Sequence, residues 1–202
     1  MVTQEVLRQQ HMVNLFYRAT SHLSIYDTMM GLVVPFGERR DFANVLNVKP
    51  GEMALEVGAG TGLNFPNYNK NASYTALDIN GAMLRKAYKR SRNFGLGNIK
   101  FVLGDATELS FADSSFDAAL LSYTLSAIPD NKMALDEVMR VVKSGGRIGI
   151  LDFEDTGSHP MLGSFGIDLE RMLSSRRDLS ITIRIRKGPI MHPHWIYVGT
   201  VK

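Results

Sequence analysis

The sequence predicts an α/β protein: a mostly parallel seven-stranded sheet with helices on both faces and an antiparallel hairpin at its C-terminal end. Three observations lead there. From residue 53 onward, short apolar runs alternate with helix-period patterns, the rhythm of strand–helix–strand units in a parallel sheet. The run Met53 to Val57, broken only by Glu56, leads directly into Gly58, Gly60 and Gly62. Near the C-terminus the pattern becomes strict alternation, with Ile181, Ile183 and Ile185 set against Thr182, Arg184 and Arg186.

Each element has its own local signal. Residues 3–20, 24–31 and 37–47 carry helical patterns, with Val6, Val13 and Phe16 able to share one face; this stretch, residues 1–48, reads as a helical lid on a core of residues 49–202, all within a single domain. A helix simply packed on the domain is the plainer alternative, and its low charge makes a membrane-surface helix the weaker functional reading. Strands are expected at 53–57, 74–78, 99–103, 116–121 and 146–152. Asn80 can cap a helix to about residue 93, with Leu84, Ala87 and Tyr88 on one face. Asp130 or Asn131 can cap another, in which Leu135, Val138, Met139 and Val142 recur at helical spacing until Gly145-Gly146 ends it. Lys187-Gly188-Pro189 begins a turn, and Trp195 to Val201 forms the last strand.

Composition narrows the class. A chain of 202 residues, 45% apolar and 21% charged, can bury a full core as one globular domain. With no cysteine, disulfides, thiolate metal sites and cysteine nucleophiles are excluded, and a cytoplasmic setting is expected. Apolar runs fall short of a membrane span and the start lacks a signal-peptide pattern. Basic residues gather at 85–92 and 171–187, but a net charge of only +3 favours solvated faces over a nucleic-acid or anionic-lipid surface.

The glycine spacing carries the chemistry. G-x-G-x-G brings the third glycine one residue too early for the dinucleotide fingerprint and lacks the lysine of a phosphate loop. A strand ending in Glu56-Val57-Gly58-Ala59-Gly60-Thr61-Gly62 resembles motif I of the class I S-adenosylmethionine (SAM) methyltransferases. Gly104 to Phe111, then Ser115-Phe116-Asp117, resemble the same family's stretch before its fourth strand. Arg140 to Arg147, Val-Val-Lys-Ser-Gly-Gly between them, resembles the approach to the fifth. The resemblance implies a Rossmann-like SAM methyltransferase fold, SAM as cofactor and S-adenosylhomocysteine as product.

It also implies roles at the strand ends, where open parallel sheets bind ligands. The loop at Gly58, Gly60 and Gly62, following Glu56, and the helix start after it would receive the methionine carboxylate. Asp78 would accept from the ribose hydroxyls while Ile79 lies against adenine; a helix cap is the plainer alternative for Asp78. Asp105 and the Ala106 N–H would meet the adenine edge. Ser122-Tyr123-Thr124-Leu125 would face the methyl donor, Ser122 on the cofactor and Tyr123 beside the reaction.

Absences at that last position limit the acceptor. There is no Asn/Asp-Pro-Pro-aromatic sequence of base amino-methyltransferases and no paired-glutamate loop of arginine methyltransferases, and cysteine-dependent classes are impossible. A small-molecule or lipid acceptor is expected, with no nucleic acid. Tyr26-Asp27-Thr28 and Phe36-Gly37-Glu38-Arg39-Arg40 resemble the ubiquinone/menaquinone C-methyltransferases and the bacterial phosphatidylethanolamine N-methyltransferases. Asn64-Phe65-Pro66-Asn67-Tyr68 and Leu125 to Pro129 look more like the phospholipid group, so a phospholipid amine is the favoured acceptor, a quinol ring the alternative, and peripheral membrane contact conceivable through the N-terminal helix. By resemblance Tyr26 would close over SAM; anchoring a helix is its structural alternative. Bases or orienting groups are sought among Tyr123, His22, Asp152 and Glu154. His192 and His194 flank a proline and read as a solvated turn, with no metal expected. An NAD-dependent oxidoreductase and a non-catalytic SAM-binding protein are the rival classes.

Overall fold

The computed structural model describes Asp27 and residues 36–154, 167–188 and 193–202. β1 (Met53–Val57) has four buried residues in succession, so both of its faces must be covered. It pairs in parallel with β2 (Ser73–Asp78) on one side and β4 (Phe116–Ser122) on the other. β3 (Ile99–Leu103) extends the β2 side and β5 (Val142–Phe153) the β4 side, both in parallel. β7 (His194–Val201) then adds antiparallel to β5, and β6 (Leu179–Lys187) antiparallel to β7. The order is β3-β2-β1-β4-β5-β7-β6, and the order in which strands are added reverses between the parallel neighbours β1 and β4, the place where such sheets open a crevice at their carboxyl ends.

Helices cover the two faces. On one lie α1 (Phe36–Leu46) and α2 (Gly81–Asn93), with Phe42, Leu46 and Ala87 against Ala54, Ala76, Leu120 and Leu151. On the other lie α3 (Asn131–Val141) and α4 (Leu169–Ser174), with Leu135, Val138, Leu169 and Leu173 against Leu55, Val57, Ile148 and Ile150. Asn80 caps α2 through the N–H groups of Ala82 and Met83, and Asp130, not Asn131, caps α3 through Met133. The buried face of α2 is Met83, Leu84, Ala87 and Ser91; Tyr88 stands largely exposed, meeting the edge of Phe101. The helices expected at 3–20 and 24–31 lie outside the described residues, Asp27 apart.

Two departures from the expected elements have clear causes. α3 ends at Val141 rather than at the glycine pair, because Val142 already turns extended to pair with Phe116. Gly145-Gly146 then sit in a bulge between that pair and Ala118↔Arg147. In β6 a second bulge at Thr182, whose hydroxyl donates to the Val198 carbonyl at 3.1 Å, turns the strand over. The uniform alternation of isoleucines therefore divides: Ile181 packs with the α3–α4 core, Ile183 and Ile185 with the α1–α2 core. Most of the basic cluster at 171–187 is ion-paired: Arg176 with Asp136 and Asp178, Arg184 with Glu170, Arg186 with Glu154 and Lys187 with Asp41. No described helix is long and apolar enough to cross a membrane.

Candidate functional site

The glycine loop leaves β1 with left-handed backbone at all three glycines, φ 68° at Gly58, 56° at Gly60 and 79° at Gly62. Close approach is also required inside the protein. A Cβ at Gly58 would lie 2.4 Å from the Thr124 side chain, and one at Gly62 would lie 2.5 Å from the Phe65 ring. The loop is closed on itself and on β2: Ala59 N–H donates to Leu77, Gly62 N–H to Ala59, and Gly60 N–H to the Asp78 carboxylate at 2.7 Å. After the loop the chain makes a three-residue 3-10 turn, Phe65–Asn67, rather than an α-helix, so the expected helix N-terminus for a carboxylate does not form. Thr61 at the tip donates to Asp27 at 2.6 Å, and Arg90 of α2 bridges Asp27 and Thr61.

Asp78 is the hub of the next strand end. Its second oxygen accepts the Asn80 N–H at 2.8 Å, and burial pushes its carboxyl above the ordinary value against the pull of those two N–H donors. Beside it stand two large apolar side chains facing solvent, Ile79 (69% exposed) and Leu103 (66% exposed), at the ends of adjoining strands. A buried carboxylate flanked by uncovered apolar surface has the chemistry of a site for a ligand that joins a polar sugar to a flat apolar ring. Asp105, exposed, accepts from the Thr107 N–H and hydroxyl, each at 2.8 Å, while the Ala106 side chain is sunk in the core.

Glu56 does not open onto this surface. At 1% exposure it points to the α1 face, where Asn64 Nδ2 donates to one oxygen at 2.5 Å and the Tyr68 hydroxyl to the other. Burial raises its carboxyl to about 7, and the two donors and the Arg39 charge hold it from going higher. Arg39 of α1 donates to Asn64 Oδ1 at 2.9 Å and to the Ser122 hydroxyl at 3.2 Å. Ser122 is thus tied to α1 as well as placed at the end of β4.

Tyr123 takes a left-handed backbone, φ 54°, immediately after β4, with its N–H donated to the Leu151 carbonyl at 2.6 Å. Its ring is buried against Phe153, with the Arg39 guanidinium 5.1 Å from the ring centre. Burial raises the phenol far above its usual value, and its hydroxyl lies 3.5 Å from the Glu38 carboxylate. Asp152 is wholly buried, accepting the Ser126 N–H and hydroxyl and the Phe153 N–H; Glu154 is paired with Arg186. His194 is no solvated turn residue: it opens β7 at 1% exposure, and its Nε2 meets the Glu38 carboxylate of α1. Burial raises the Glu38 carboxyl, opposed by the Tyr123 hydroxyl and by Lys187 and Arg39. Tyr26, His22 and His192 lie outside the described residues.

The structure therefore joins the glycine loop to Asp78, with Ile79 next to it at the end of β2; Asp105 follows the end of the adjoining β3, and Ser122, buried at the end of β4, is held by Arg39. Sequence reasoning assigned no role to Asn64, Glu38 or Arg39 beyond membership of a motif, because their partners come from distant elements.

Comparison with known proteins places this geometry. The model of the ubiE/COQ5 methyltransferase family matches residues 4–170. The chain is 40% identical over 128 residues to a demethylmenaquinone methyltransferase of Renibacterium salmoninarum, covering 63% of this chain and 50% of that one. It is 34% identical over 167 residues to the ubiquinone/menaquinone biosynthesis C-methyltransferase UbiE of Sinorhizobium fredii, covering 81% and 61%. It is also 34% identical over 136 residues to a phosphatidylethanolamine N-methyltransferase of Cereibacter sphaeroides, covering 67% and 66%. The chain spans about half the length of the first two curated relatives it matches. In fold it is similar to the N-methyltransferase NodS of Bradyrhizobium japonicum, solved with S-adenosylhomocysteine, at TM-score 0.70 and 16% identity over 83% of this chain and 88% of that one.

Proposed function

Since the chain belongs to the ubiE/COQ5 methyltransferase family, we propose that it is a SAM-dependent methyltransferase whose acceptor is the ring carbon of a quinol. The observation that carries this reading is the family match across residues 4–170, which takes in the cofactor crevice and the N-terminal segment together. It shifts the acceptor from the phospholipid amine favoured by the motifs to the quinol ring held as the alternative.

The residues present fit the cofactor. Asp78 would accept from the ribose hydroxyls, Ile79 and Leu103 would flank the adenine, and Asp105 would stand at its edge. Bound there, the sulfonium supplies an activated methyl group, so alignment and exclusion of water are the protein's part. The glycine loop, pinned by Asp78 from β2 and by Thr61 to Asp27 and Arg90, holds its shape for that purpose. Ser122 and Tyr123, fixed by Arg39 and by the Leu151 carbonyl, would form the part of the β4 end that faces the cofactor.

A phospholipid amine is the second reading, supported by the Cereibacter sphaeroides relative. Calorimetry with SAM, S-adenosylhomocysteine and NADH tests the cofactor; adenosyl ligands alone should bind. Methyl-labelled SAM offered with a demethylated quinol or with phosphatidylethanolamine in mixed micelles then tests the acceptor. Label on the quinol ring supports the first reading, and label only on the phospholipid replaces it with the second.

A further inference from the structure

Residues 58–62 are clamped at their base by a contact that spans them. Glu56, two residues before Gly58, is bonded to Asn64, two residues after Gly62, and Asn64 is in turn oriented by Arg39 from α1. The amide has no latitude in this arrangement. Its oxygen faces the guanidinium at 2.9 Å and its nitrogen faces the carboxylate at 2.5 Å, so each partner fixes the other's orientation. All three side chains are buried, at 6% for Arg39, 5% for Asn64 and 1% for Glu56. Arg39 supplies the positive charge that a carboxylate at this depth requires.

We infer that Arg39 is the positioning residue of the cofactor loop, acting through Asn64 and Glu56, so that α1 sets the affinity of the adenosyl site. This rests on the SAM reading proposed above. It goes beyond that reading because Arg39 belongs to the segment before the sheet, and the inference makes that segment part of the cofactor site without requiring contact with the ligand.

The chemistry predicts a signature that plain packing would not give. The charged and titratable groups facing Glu56 are Arg39 from α1, Tyr68 after the 3-10 turn, and Asp78 and Tyr74 of β2. In the ionised state Glu56 accepts from Asn64 and Tyr68 and balances Arg39. A proton on either oxygen faces a donor already there, and the negative charge opposite the buried guanidinium is removed. The loop clamp should therefore loosen locally as Glu56 protonates, near pH 7, even though relief of the buried charge stabilises the fold as a whole in the same range. Taking away Arg39 should push that step to higher pH. The Asp78 carboxyl is shifted by burial and by the Asn80 and Gly60 N–H groups, so its own titration should stay in place.

The test is S-adenosylhomocysteine binding by calorimetry, from about pH 6 to about pH 9, for the wild type, Arg39→Lys, Arg39→Met and the double variant Arg39→Met/Glu56→Gln, with thermal unfolding as the check on folding. Expected are weakening of wild-type binding below pH about 7, about tenfold weaker binding by Arg39→Met with its midpoint moved upward, and an unmoved midpoint in Arg39→Lys. The double variant should lose the pH step. A folded Arg39→Met with wild-type affinity and midpoint overturns the inference alone. Wild type that binds no adenosyl ligand overturns the function reading and the inference with it. If Arg39→Met does not fold, Arg39→Gln, which removes the charge but keeps an amide donor, takes its place, and a folded Arg39→Gln with wild-type affinity and midpoint overturns the inference.

Discussion

The Asp78 carboxylate accepts the N–H of Gly60 at 2.7 Å, so the residue at the tip of β2 holds the middle of the loop that follows β1. One side chain thereby ties the end of β2 to the loop after β1. Asp78→Ala should weaken SAM binding by at least about tenfold, or about 1.4 kcal/mol, through lost charge-assisted hydrogen bonds and a freed loop. Calorimetry checks this; unchanged affinity in a folded variant removes Asp78 from the site.

Glu56 makes stability depend on pH in a defined direction. Its folded carboxyl is raised from 4.5 to about 7, so the folded state holds a proton that the unfolded chain has released in that window. The contribution is present below pH 4.5 and lost as pH rises through about 7. Wild type should therefore lose stability relative to Glu56→Gln across this range, by on the order of 3 kcal/mol. The cost of removing the charge opposite Arg39 in the variant does not change with pH, so it shifts the difference without altering its slope. Urea unfolding at several pH values measures it.

Gly149 lets α1 lie close on β5. A Cβ there would meet Phe42 at 2.9 Å and Leu46 at 3.1 Å. Gly149→Ala should destabilise by about 1–3 kcal/mol. Because α1 carries Arg39, it should also weaken adenosyl binding. A loss of stability with intact affinity would show that the helix can shift without disturbing the loop.

Glu38 and His194 join α1 to the terminal hairpin inside the core. Removing one partner leaves the other's buried polar atom without that contact, at a cost of about 1–3 kcal/mol. Glu38→Gln and His194→Phe should each be destabilising, and the double variant should cost much less than their sum. A double-mutant cycle from denaturant unfolding reads the coupling, and additive effects would dissolve the pair.

What the sequence determined by itself was local. Strands β1 and β3 begin and end where their apolar runs do, Asn80 and Asp130 cap the helices they precede, and the glycine spacing marks the loop. Each signal lies within a few neighbours, since periodicity, capping and turn chemistry act over that range. The tertiary structure decided what depends on strand order and on contact across the sheet. The bulge at Thr182 divides one alternating strand between two cores. The early start of β5 displaces the glycine pair from a helix end into a bulge. Arg39 reaches Asn64, and Glu38 reaches His194, only because α1 packs on the face where β4, β5 and β7 come together. A buried polar side chain takes its meaning from the partner that folding brings to it, and no spacing along the chain encodes that partner.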